Sequence, residues 1–78
     1  MSDEAISMLE KMIGQQEARV LDMARRLKPG LTADDLKNPH DFPELALDAR
    51  FAFEDGQTAG LRAAQAAIRA MQADQRNR

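Results

Sequence analysis

From Ile6 to Leu27 a stripe of side chains recurs at alternating spacings of three and four residues: Ile6, Leu9, Ile13, Gln16, Val20, Met23 and Leu27. An α-helix gathers such positions on one face, whereas the two-residue period of a strand would scatter them over both. All but Gln16 are apolar, so the spacing predicts a helix over about residues 3–28 with one side that must leave water. Ala5, Met12 and Ala24 border the stripe and widen it towards the face of a bundle helix. Ser2 is placed to cap this helix, and Asp3 and Glu4 sit where the helix dipole favours negative charge. Lys28-Pro29-Gly30 ends it, because proline drives the preceding residue out of the α region and glycine suits the turn that follows.

A second helix is expected over about 48–73, with Pro43 as a possible earlier start, followed by a polar tail over 74–78 that frays. Its inward stripe reads Phe53, Gln57, Leu61, Ala64, Ile68 and Met71. Gly56, Gly60, Ala63, Ala67 and Ala70 crowd the neighbouring lines. A glycine costs about 1 kcal/mol against alanine inside a helix, so Gly56 and Gly60 call for a reason. Tight crossing of another helix is the first; a ligand pressed against the backbone is the second.

The connector, about 29–47, contains Pro39 and Pro43 and admits no continuous helix. Thr32 and Asp35 have the spacing of a capping box. Leu31, Leu36, Phe42, Leu45 and Leu47 are too apolar for a solvated linker, so the segment is expected to fold as an ordered lid over one end of the helices. Charge decides how the helices run. Acidic residues lead and basic residues trail in both halves: Asp3, Glu4, Glu10 and Glu17 precede Arg19, Arg25, Arg26 and Lys28, and the acids of 31–55 precede Arg62, Arg69, Arg76 and Arg78. An antiparallel hairpin brings opposite charges together at both ends; a parallel pair would not.

A chain of 78 residues without cysteine has neither disulfides nor a thiolate metal site to supplement a small core. Self-association is the remaining route. The expected fold is therefore all-α: an antiparallel two-helix hairpin with a structured lid, pairing into a homodimeric four-helix bundle. The dimer and core seam comprises the first-helix stripe named above together with Leu61, Ala64, Ile68 and Met71. Gln16 within it is suited either to face its symmetry mate and fix register or to sit at a wet edge.

Chemistry is sparse. Ser2, Ser7, Thr32 and Thr58 have one histidine, His40, to serve them, so no nucleophile and base pair can be drafted. His40, Asp41 and Glu44 lie among prolines and read as loop residues in preference to metal ligands. No phosphate-binding glycine loop occurs. The expectation is a non-catalytic chain with no cofactor and no metal. No basic leader opens the sequence and no apolar run approaches the roughly 20 residues of a membrane span, so a cytoplasmic protein with no membrane association is expected. Two surfaces stand out. Asp41, Phe42 and Glu44 form a candidate protein-partner surface, although closing the bundle end accounts for Phe42 more simply. Arg19, Arg25, Arg26 and Lys28 form a candidate basic patch, although favourable placement at a helix C-terminus accounts for it as well. The leading functional expectation is a small dimeric interaction or accessory module. The alternative is a nucleic-acid-associated regulator using the basic patch, which the net charge of -2 and the absence of interleaved aromatic residues disfavour.

Overall fold

The computed structural model describes residues 3–77; the capping role of Ser2 and the last tail residue, Arg78, lie outside them. Among the described residues every regular element is helical: α1 Asp3–Leu27, two short 3-10 turns Asp35–Lys37 and Pro39–Asp41, α2 Pro43–Ala46, and α3 Ala49–Arg76. Among the described residues no helix is long and apolar enough to cross a membrane.

Each boundary has a local cause. The amide of Lys28 still donates to the Ala24 carbonyl at 2.8 Å, and the chain then reverses through Gly30 at φ 90°, where a side chain would be strained. Thr32 and Asp35 form the reciprocal box their spacing suggests: Asp35 Oδ2 accepts from Thr32 N at 2.9 Å, and Thr32 Oγ1 accepts from Asp35 N at 3.3 Å. Phe42 is extended ahead of Pro43, which opens α2. Asp48 caps α3 by accepting the Phe51 amide at 2.7 Å. At the other end α3 does not stop near residue 73; it continues through Arg76, and the Asn77 amide still reaches the Ala73 carbonyl at 3.2 Å.

Helices α1 and α3 lie side by side and antiparallel. Glu17 pairs with Arg62 and Glu10 with Arg69, so advancing seven residues along one helix retreats seven along the other. The lid covers one end. There Val20, Ala24, Leu31, Leu45 and Phe51 form the buried core, with Met23, Leu27, Leu36 and Phe42 packed against it. Leu47, expected among the lid's buried side chains, is 87% exposed; the core position falls to Leu45, two residues earlier, at 1%. The single turn of α2 explains this, since it aims Leu45 inward and leaves Leu47 at the bend into α3.

The open end is less well filled. Beyond Gln16 towards the start of α1, Ile13 alone is buried, while Ile6 and Leu9 of α1 and Leu61 and Ile68 of α3 are half-buried. A radius of gyration of 15.1 Å, against about 11.5 Å for a compact chain of this length, expresses the same elongation.

Candidate functional site

The face that α3 turns towards α1 and the lid differs from the stripe expected from sequence. Phe51, Glu54, Thr58, Leu61, Gln65, Ile68 and Gln72, buried or half-buried, are again spaced by three and four, with the half-buried Asp55 beside them. Phe51 is 2% exposed, whereas Phe53, expected to face inward, is 64% exposed. Leu61 and Ile68 belong to both readings; Gln57, Ala64 and Met71 are exposed in the single chain. The inner stripe is half polar and therefore inconspicuous. A signal for it was nevertheless present: Glu10 and Glu17 are seven residues apart, as are Arg62 and Arg69, and only one rotation of an antiparallel α3 pairs them.

Gln16 is buried at 8% exposure within the single chain, not at a wet edge. Its Nε2 donates to the Glu54 main-chain oxygen at 3.1 Å and to Glu54 Oε2 at 2.8 Å. Thr58, the other buried polar side chain among the described residues, donates its hydroxyl to the same Glu54 carbonyl at 3.2 Å. These contacts satisfy polar groups that would otherwise be costly between the helices.

The candidate basic patch is drawn into local contacts. Arg25 Nε donates to the Leu31 carbonyl at 2.8 Å, Arg26 pairs with Asp22 at 3.0 Å, and Lys28 approaches Glu44 at 3.9 Å. Arg19 lines a groove with Met12, Gln57, Gly60 and Leu61, and a second one with Asp22, Arg26 and Glu54. In the lid, the half-buried Phe42 packs against the core while Asp41 and Glu44 stay exposed. Among the described residues no three histidine, aspartate or glutamate side chains gather where they could hold a metal ion.

The surface that sequence reasoning did not separate is the outer flank of α3. Between Ala52 and Ala73 the charged residues are Glu54, Asp55, Arg62 and Arg69, and all lie on or beside the inner stripe. What remains outward is alanine and glycine, with Phe53, Gln57 and Met71 along one line. Met12, 45% exposed, shares the groove with Gly60 and Leu61, and Met8, one turn earlier on α1, is 56% exposed beside Glu4 and Lys11. The hairpin thus has two unlike edges: one zipped by Glu17 with Arg62 and Glu10 with Arg69, the other an open groove in which Met12, Gly60 and Leu61 alternate with Arg19 and Gln57. A Cβ added at Gly56 or Gly60 would meet nothing within 4 Å, so no close crossing inside the chain accounts for either glycine. Compared with protein-family models, curated proteins and solved structures, the chain matches none.

Proposed function

We propose that the protein is a non-catalytic interaction module that works as a homodimer, burying the apolar flank formed by α3 and the methionines of α1. The observation that carries this reading is the exposure of Phe53, Met71, Met8 and Met12 on a hairpin whose α3 carries no charge on its outer flank between Ala52 and Ala73. Isolated exposed apolar residues are ordinary; a contiguous flank is a mark of an interface. The accessible area supports it. The chain exposes 5680 Å², against about 4,700 Å² for a compact monomer of its 8.7 kDa mass. That excess is of the order of the roughly 800 Å² that each partner contributes to a standard interface.

Pairing two hairpins through this flank produces a four-helix arrangement and leaves the lids and the basic ends of α1 accessible to other proteins. The alternative of a nucleic-acid-binding regulator draws less support, because Arg25, Arg26 and Lys28 already answer Leu31, Asp22 and Glu44. Light scattering coupled to size exclusion at micromolar concentration tests the proposal. A mass twice that of the chain is expected; a monomer at all concentrations up to about 100 μM overturns it.

A further inference from the structure

We infer that the dimer forms by antiparallel pairing of α3 with α3 of a second copy, about a two-fold axis at the level of residue 62. This rests on the dimeric reading above and adds the surface, direction and register. Phe53, Gln57, Gly60, Ala64, Ala67 and Met71 alternate in steps of four and three, a heptad line of the kind that packs helix against helix. It lies outside the inner stripe, and Phe53 and Met71, its two large side chains, are 64% and 44% exposed.

The line is complementary to its own reverse. Phe53 and Met71 stand nine residues either side of position 62, Gln57 and Ala67 five, and Gly60 and Ala64 two. An antiparallel copy therefore sets Phe53 against Met71 of the second chain at both ends, a favourable sulfur and aromatic contact, and brings the smallest side chains together at the centre. Gly60, which has open space within its own chain, there gains the close neighbour that accounts for it.

Charge selects the direction. Arg50 and Asp74, both exposed, stand twelve residues either side of the same centre. Antiparallel pairing places each Arg50 near Asp74 of the other copy, whereas parallel pairing would set Arg50 near Arg50 and Asp74 near Asp74. Both helix dipoles are likewise opposed in the antiparallel arrangement.

The natural chain has no cysteine, so single cysteines report the geometry cleanly. Gln57→Cys and Ala67→Cys alter exposed positions and are expected to keep the helical circular dichroism of the wild type. In the inferred dimer, two copies of residue 57 lie about 15 Å apart along the helix axis, beyond reach of a disulfide, while residue 57 of one copy faces residue 67 of the other. Mild oxidation of an equimolar mixture of the two variants, unfolded and refolded together, should yield cross-linked dimer; each variant alone should not. Gly60→Leu, which meets no obstacle in its own chain, should retain helicity and lose the dimer mass. A monomeric wild type overturns both the dimeric reading and the pairing. A dimeric wild type overturns the pairing alone if either single variant cross-links with itself, if the mixture does not cross-link, or if Gly60→Leu remains fully dimeric.

Discussion

Gln16 on α1 holds two oxygens of one residue on α3: its Nε2 lies 3.1 Å from the carbonyl oxygen of Glu54 and 2.8 Å from Oε2 of the same residue. The contact ties a buried amide to both the backbone and the side chain of the facing helix. Sliding α1 by one turn would break both hydrogen bonds, so a single glutamine in an otherwise apolar stripe of α1 favours one register within the hairpin. Gln16→Ala is expected to lose about 1 to 2 kcal/mol, partly because the amide donates to an ionised group. Urea unfolding at fixed protein concentration measures this; a loss below about 0.3 kcal/mol would show that the pair contributes nothing.

The two phenylalanines at the start of α3 should separate sharply. Phe51, 2% exposed, fills the core beneath the lid, and Phe51→Ala should cost about 3 to 5 kcal/mol, which for so small a chain removes most of its stability. Phe53, 64% exposed, contributes little to a single hairpin. Phe53→Ala should therefore preserve helicity in dilute solution while weakening association, read as a concentration-dependent mass. Equal thermal destabilisation by both substitutions at the lowest measurable concentration would contradict this division.

Two glycines far from the outer flank should respond with opposite signs. Gly14 lies within α1 with nothing within 4 Å of an added Cβ, so Gly14→Ala should stabilise by up to about 1 kcal/mol through helix propensity. Gly30 sits at φ 90°, and Gly30→Ala should destabilise by about 1 kcal/mol although space is available there too. Thermal melting of both variants beside the wild type gives the answer in one experiment.

The ion pairs along the closed edge are exposed and should matter little to stability. Arg69, with its side chain 62% exposed, reaches Glu10 at 3.5 Å, and Arg69→Ala should change stability by less than about 1 kcal/mol, with the difference shrinking as salt is raised to about 0.5 M. A larger, salt-insensitive loss would mean that the arginine stem is packed in the interface between the helices.

Periodicity placed α1 almost to the residue, because nearly every inward side chain in it is apolar and the Pro29-Gly30 turn ends it in only one way. The capping pairs were also legible, since Thr32 with Asp35 and Asp48 with Phe51 act across three residues of chain. Antiparallel direction followed from charge order, and the ion pairs of Glu10 and Glu17 agree with it. In the lid the hydrophobic content was plain but its orientation was not. Leu45 and Leu47 are equivalent to a local reading, and one turn of helix decides between them.

What the sequence by itself determined, then, was two long amphipathic helices, an apolar cover and the direction in which they run. Only the tertiary structure decided which face of α3 turns inward. That helix carries two lines of heptad spacing, one through Phe51, Thr58 and Leu61 and one through Phe53, Gly60 and Met71, and hydrophobicity ranks them nearly alike. The choice rests on contacts between residues distant in the chain: Gln16 with Glu54, Glu17 with Arg62, and Phe51 with the lid core. Such contacts exist only after the helices meet, and the flank they leave uncovered is the one assigned here to a second copy.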